Sequence, residues 1–378
     1  MADPRASSSM DLTTPTRERA TPSRNNFTAL RFIAATLVIV SHGFELPTGL
    51  AQRDWAHAVT GRAFSWYAVD LFFVISGYLI FISWERNPSV KSFSWARFLR
   101  IMPGLFVMLV VTVAILGTAF SKLAIIDFIA SALTFKYFVG CLSIIFVNYE
   151  LPGVFSLNPI HAVNGSLWTL RYEIVCYFSV AAAGSIGALS LPYMRRTALV
   201  IGILGTSAAL IWLDVMGAGN SNDRLGMVYE LARLAMCFQL GGLYAEFGVW
   251  VPLRSVFVVG LVLLLLIVAD TPIFTPIANF ATAYAAFWFA FVPNGKWIKW
   301  TRWAPDYSYG IYIYAFPIQQ ALVSLVPGIS PKYNIILGFC TTLLFAGVSW
   351  HLVEKPALFL KRYVPRLAKP EGGSLLCK

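Results

Sequence analysis

Phe27-Thr28-Ala29-Leu30-Arg31-Phe32-Ile33-Ala34-Ala35-Thr36-Leu37-Val38-Ile39-Val40-Ser41-His42 is an apolar run with one fixed cation near its start and one imidazole at its end. With the few apolar residues that follow, it is long enough for a helix crossing about 30 Å of hydrocarbon. Eleven residues turn an α-helix through about three turns, so Arg31 and His42 leave from nearly one face, about 16 Å apart. An ionisable group inside a membrane span is expensive and by default marks function. A titratable imidazole in line with an arginine therefore reads as part of a site.

The rest of the chain repeats this apolar texture. Its 378 residues are 58% hydrophobic and 12% charged, about half the charged fraction of an average soluble domain. Runs near 20 residues recur at 27–46, 64–84, 103–120, 166–187, 197–216, 226–247, 254–271, 273–292, 307–327 and 333–353. We read an all-α polytopic membrane bundle of about ten transmembrane helices over residues 27–357. The alternating short strands of an outer-membrane barrel do not occur in the pattern. Residues 1–26, rich in Ser, Thr, Pro, Arg and Asp, read as a disordered cytoplasmic tail, and 358–378 as a basic cytoplasmic tail. No soluble catalytic domain is expected beside the bundle.

The net charge of +11 lies in short loops between spans, a signature of topology and not of a nucleic-acid surface. The stretch 123–147 is apolar enough to cross but is interrupted by Asp127 and Lys136. If it crossed, Arg195-Arg196, the Lys296/Lys299/Arg302 loop and the basic C-terminal tail would all fall outside. Without that crossing they join Arg86, Lys91, Arg97 and Arg100 in the cytoplasm, and the outer loops keep near-balanced pairs such as Arg53/Asp54 and Asp223/Arg224. The positive-inside bias selects the second arrangement. Residues 121–165 are then a long external or re-entrant element, and both termini are cytoplasmic. Four of the five cysteines, Cys141, Cys176, Cys237 and Cys340, lie in apolar stretches and Cys377 in the tail. They show no metal spacing and read as packing residues, so no metal is expected.

This topology gives the polar groups depths. Arg31 is near the inner face and His42 in the outer third, while Asp70 and Glu173 enter from outside and reach similar depth on two other helices. His42 reads as a general base for an attacking hydroxyl, with Asp70 or Glu173 orienting its other nitrogen. Glu45 and His57 are expected in the outer loop, in solvated roles. Ser76-Gly77 offers a small surface for close helix packing.

Arg97 and Arg100, three apart, share a face and can grip a phosphate, although interfacial anchoring alone also explains isolated basic residues. Trp168 suits the interfacial aromatic belt, and Arg171 and Glu173 point to different sides and need partners elsewhere, which indicates a hydrated cavity. Glu230 and Arg233 can satisfy each other, and Gln239 continues the polar lining. Tyr309, Tyr312 and Phe316 share one face of a helix with a proline kink and can line a channel. Snorkelling or capping accounts for His351 and Glu354 at the end of the last span.

Together and in this order, these blocks resemble the acyltransferase-3 family of integral membrane O-acyltransferases. The resemblance rests on Arg31 with His42, the Asp70–Leu79 block, Arg97-x-x-Arg100, Trp168-Thr169-Leu170-x-x-Glu173, Ser308-Tyr309-Gly310-Ile311-Tyr312 and Val353-Glu354-Lys355-Pro356. It implies a ten-helix bundle in a bacterial inner membrane. It also implies acyl transfer from acyl-CoA, most often acetyl-CoA, to a glycan, a lipid-linked sugar or, in some branches, a small molecule such as a macrolide. By the same resemblance His42 is catalytic, Arg31 is its motif partner and Arg97/Arg100 are the family's arginine pair; the CoA phosphates are expected near Arg97 and Arg100, with Arg31 a further cation at the donor's entrance. Trp168, Arg171, Glu230, Tyr309 and Tyr312 are expected to line the acceptor, with membrane lipids and polysaccharide-assembly proteins as partners.

The imidazole can receive either a proton or the acyl group itself, and the residues leave both routes open. A competing class is a proton-coupled exporter of a glycan or lipid precursor, since intramembrane His, Asp, Glu and Arg also serve proton relays. The paired cytoplasmic arginines are the feature such a relay does not require.

Overall fold

The structure is a computed structural model that describes residues 25–50, 54–221, 223–248, 250–293, 295–302 and 304–363. The expectations for residues 1–24, for Arg53, and for 364–378 with Cys377 lie outside the described residues. Among the described residues the chain is helical, with no β-strand.

The long helices are α1 (Phe27–Thr48), α3 (Phe64–Arg86), α4 (Val90–Val111), α7 (Leu170–Ser185), α8 (Pro192–Val215), α9 (Arg224–Phe247), α10 (Ser255–Ile267), α11 (Phe274–Phe291), α13 (Ser308–Leu325) and α14 (Pro331–Ser349). Between them lie the short helices α2 (Trp55–Thr60), α5 (Ile125–Ala130), α6 (Ala132–Ser143) and α12 (Lys296–Thr301). α4 continues through a wide turn, Thr112–Gly117, to Phe120, and α14 continues through another, Trp350–Glu354, to Phe359.

Five helical stretches are long and apolar enough to cross a membrane: Phe27–Thr48, Phe64–Arg86, Val90–Phe120, Pro192–Val215 and Pro331–Tyr363. This is a membrane protein. The other long helices fall short of that measure for two reasons. α7 has 16 residues and α10 has 13, and α9, α11 and α13 carry polar side chains that face inward. Their amide nitrogens find acceptors within the bundle, as buried donors must. Asn279 donates to the Arg233 carbonyl at 3.1 Å. Gln319 donates to the Ile39 carbonyl and to Asn334 Oδ1, both at 2.9 Å.

Residues 121–165 form two short helices and a loop laid against the bundle. α6 has only 12 residues, roughly 18 Å of helix, which is too short to cross. It folds back on α4, with Phe138 meeting Phe106 edge to face at 5.9 Å. The loop is pinned to α13 by Asn158, which donates to the Gln320 carbonyl at 3.0 Å and to its Oε1 at 2.8 Å.

The tightest crossing joins α3 to α9. A Cβ on Gly77 would overlap the Phe238 carbonyl, and one on Gly241 would overlap the Val74 carbonyl. The small surface at Ser76-Gly77 is thus used for backbone contact. Here the obstacle is backbone and not a yielding side chain, so overpacking has no easy relief. Gly77→Val is expected to lower the midpoint of thermal unfolding in detergent by several degrees. An unchanged midpoint would contradict this packing.

Candidate active site

A carboxylate just before α13 organises one end of the bundle. Asp306 Oδ1 accepts from the Ser308 amide at 3.3 Å and its hydroxyl at 2.5 Å, an arrangement that starts the helix. Its Oδ2 accepts from Arg31 Nη1 at 2.8 Å and Arg100 Nη2 at 3.0 Å. Arg100 Nη1 also stands 3.8 Å from Glu354 Oε2, and Glu354 Oε1 accepts from Ser349 at 3.0 Å. One acid therefore joins α1, α4 and α13, and a second ties in the turn after α14. Burial would raise the Asp306 carboxyl, but the Arg31 and Arg100 guanidiniums and Ser308 hold it down to about 2.

Glu354 corrects the expectation of a snorkelling charge. It is 2% exposed and sits beside Arg100, because the wide turn at Trp350–Glu354 directs it inward. His351 is exposed, with Nε2 3.2 Å from the Tyr307 hydroxyl.

Next to this cluster lies a cavity of about 350 Å³ lined by Arg31, Arg97, Arg100, Glu173, Tyr309 and Tyr312, among others. Arg97 lies against the Phe93 and Tyr177 rings, at 6.0 and 5.7 Å. Glu173 accepts from the Tyr177 hydroxyl, which also meets Ser76 Oγ at 3.1 Å. Tyr309 donates to the Ile101 carbonyl at 2.8 Å.

A second cavity of about 380 Å³ opens at the opposite end, lined by His42, Glu45, Ser166, Trp168, Glu230 and Phe316 with neighbouring residues. His42 Nδ1 is 3.0 Å from Glu45 Oε2, and Nε2 is 3.5 Å from Ser166 Oγ. The ring stands edge-on to Phe316 at 4.9 Å. A Cβ on Gly165 would come within 2.6 Å of that phenyl ring, so the glycine makes room for it.

Two expectations are corrected by this geometry. Glu45 is not a solvated loop residue, because it lies within α1, one turn beyond His42 and on the same face. Nor do Asp70 and Glu173 orient the imidazole: the nitrogen assigned to them is held by Glu45. Asp70 is fully buried and accepts from Arg233 Nη1. Arg233 in turn donates from Nε and Nη2 to Glu230 Oε2 at 2.9 and 2.6 Å, and its guanidinium lies 4.5 Å from the Trp66 ring centre. The expected Glu230–Arg233 pair is thus one half of a triad. Glu173 faces the other cavity, one turn past the end of a short 3₁₀ segment, Gly165–Thr169. Matching depth along separate helices did not bring the three groups together, because they point in different directions.

Val69 and Tyr312 line both cavities and form the wall between them. The Tyr312 hydroxyl donates to the Ser166 carbonyl at 2.7 Å and is 2.7 Å from Thr169 Oγ1. The stripe Tyr309, Tyr312, Phe316 runs from the first cavity through this wall to the second. Trp168 lines the second cavity, whereas Arg171 lies over its neighbour Tyr172 at 4.9 Å and lines neither. Among the described residues no cluster of His, Cys, Asp or Glu is suited to a metal ion.

The acyltransferase-3 family profile, described as an acyltransferase domain, matches residues 24–351. The chain belongs to this family. Among similar proteins, an O-acetyl transferase of Shigella phage Sf6 is 28% identical over 354 residues, covering 91% of this chain and 98% of the phage protein. Nodulation protein 10 of Rhizobium leguminosarum is 25% identical, covering 92% of this chain and 96% of its own length. Peptidoglycan O-acetyltransferase OatA of Listeria monocytogenes is 26% identical, covering 78% of this chain and 52% of OatA. No solved structure matches.

In this acyltransferase the residues missed from sequence are Asp306, Glu45 and Ser166. Asp306 did carry a local signal, since Asp-x-Ser ahead of an apolar run is a helix-start pattern. Its folded pKa lies below the unfolded value near 4, so it stabilises the protein above pH 4 and loses that effect as pH falls towards 2. Each pKa unit is about 1.4 kcal/mol, which makes the effect on the order of 2 kcal/mol. The stability advantage of the wild type over Asp306→Asn, from denaturation in detergent, is expected at pH 5–7 and to shrink between pH 4 and 2. A pH-independent advantage would contradict the shared carboxylate.

Proposed function

We propose that this acyltransferase moves an acetyl group from cytoplasmic acetyl-CoA to a hydroxyl of an extracytoplasmic glycan or lipid-linked sugar. In this reading the bundle spans the membrane. The end bearing Arg31, Arg97, Arg100, Arg195 and Lys361 faces the cytoplasm, in keeping with the positive-inside bias. The names of the phage and Listeria relatives support O-acetylation, and the Listeria name supports a glycan acceptor. The observation that carries the reading is the His42–Glu45 pair in the cavity opposite the arginine cluster, one thin wall away.

The roles follow from the hydrogen bonds. Glu45 accepts from Nδ1–H, which leaves Nε2 with its lone pair toward the cavity. The acyl end of the donor reaches past Val69 and Tyr312. There Nε2 takes the proton of the acceptor hydroxyl as its oxygen attacks the thioester carbonyl carbon. The C–O bond forms, the C–S bond breaks, and the departing thiolate takes the proton back from His42. Glu45 stabilises the imidazolium in between. We assign Asp70 to holding Arg233 at the acceptor side, where Trp168 and Glu230 contact the sugar. Glu173 belongs to the donor cavity.

His42→Ala is expected to lose about 10²–10⁴-fold of the transfer rate while remaining folded, the usual range for a general base. Glu45→Gln is expected to lower kcat by less, with the KM for acetyl-CoA unchanged. The measurement is incorporation of labelled acetyl from acetyl-CoA by purified protein supplied with a glycan-bearing membrane extract. Wild-type transfer by the alanine variant would overturn the assignment.

A further inference from the structure

The acidic and basic side chains that line the His42 cavity pair with one another or with a close neighbour, with one exception among the described residues. His42 meets Glu45, and Glu230 meets Arg233, which also holds Asp70. The exception is Arg62, in the short loop that leads into α3. A guanidinium carries five N–H donors. Arg62 gives one of them to a protein acceptor, Nη1 donating to the Gly219 carbonyl at 3.3 Å. Its guanidinium otherwise lies 5.8 Å from the centre of the Trp66 ring.

The carboxylates around Arg62 do not use its remaining donors. Asp54 accepts from the Ser41 hydroxyl and from the His57 and Phe64 amides. Asp214 attracts Arg62 by its charge, but it makes no ion pair with it and lies outside the cavity lining. Trp66, beside Arg62 on the cavity wall, adds a second unfilled donor. Its indole Nε1–H is buried and has no acceptor among the described residues. Both side chains therefore call for oxygen atoms that come from outside the chain.

Resting on the acceptor reading above, we propose that Arg62 and Trp66 form a subsite for an anionic group of the acceptor. The unit presented to His42 carries, on itself or on its neighbour, a carboxylate or a phosphate. Its oxygens accept charge-assisted hydrogen bonds from the Arg62 guanidinium, and one accepts from Trp66 Nε1. Glu230 repels the anion from its own side of the cavity and accepts from sugar hydroxyls instead. Trp168, which lines the same cavity, offers its ring face to the sugar.

The carboxylate of an acidic sugar and the diphosphate of a lipid-linked sugar share this chemistry, so the test separates the two sources. Labelled acetyl transfer from acetyl-CoA by the full chain is measured against the membrane glycan acceptor in three forms. One is untreated. In the second the carboxyl groups have been reduced, which turns acidic sugars into neutral ones. In the third mild acid has released the glycan from its lipid diphosphate. For the wild type the acceptor KM is expected to rise about tenfold or more in one treated form, the effect of losing charged hydrogen bonds. A rise on carboxyl reduction names the carboxylate, and a rise after mild acid names the phosphate.

Arg62→Gln is expected to show that raised KM already with the untreated acceptor and no further rise on treatment, with the KM for acetyl-CoA unmoved. Arg62→Lys is expected to recover part of the loss. Trp66→Phe keeps the ring and removes only the N–H, and is expected to raise the acceptor KM several-fold in the untreated form alone. An arginine that only balances the surplus negative charge of Asp70, Glu230 and Arg233 would give an equal defect with all three acceptors, which overturns the subsite. An acceptor KM of the wild type that is the same for all three forms overturns it without any variant. Failure of the wild type to acetylate any form would bring down the acceptor reading itself, and this inference with it.

Discussion

Cations within a low-dielectric bundle have to be neutralised by groups the chain itself provides, and Asp306 does this for two arginines at once. Each ion loses several kcal/mol of hydration on burial, so the geometry has to be good enough to recover it. Asp306 meets that demand with four hydrogen bonds, two from Ser308 and one each from Arg31 and Arg100. The consequence is positional. The shared carboxylate fixes the rotation of α1 at Arg31. Three turns further on, the same rotation directs His42 into the opposite cavity. A charge interaction at one end of the bundle thereby sets the direction of the imidazole at the other.

The wall at Val69 and Tyr312 has a complementary purpose. A protein that admits polar reactants from both ends risks becoming a leak. Here the Tyr312 hydroxyl is tied to Ser166 and Thr169 on the neighbouring segment, and Phe72 meets its ring edge-on at 5.8 Å. Side chains that line both cavities form this wall, and in the proposed function the thioester passes it. The same segment presents Ser166 toward His42, so the closure of the wall and the setting of the base share one stretch of chain, Gly165–Thr169.

Much of the fold could be read from the chain because helix periodicity is a local property. The apolar runs mark the long helices, the eleven-residue spacing puts Arg31 and His42 on one face, and Tyr309, Tyr312 and Phe316 share a stripe. Partner choice is not local. Asp70 finds Arg233 163 positions away, and Arg31 finds Asp306 275 positions away. Those pairings depend on how each helix is rotated about its axis, which only contacts between distant helices, ion pairs included, settle. Glu45 lies within α1, which runs to Thr48, and its three-residue spacing from His42 puts the two side chains on one face. Glu354 was misjudged for a related reason: a wide turn near the end of the last helix redirects a side chain that regular spacing would leave outside.

In the proposed function donor and acceptor approach from opposite faces and meet at His42. Proteoliposomes loaded with labelled acetyl-CoA, washed free of external donor and then given a glycan acceptor outside, test it directly. Label is expected on the external acceptor, transferred by molecules whose Arg31 end faces the lumen. Transfer only when donor and acceptor share one compartment would contradict it.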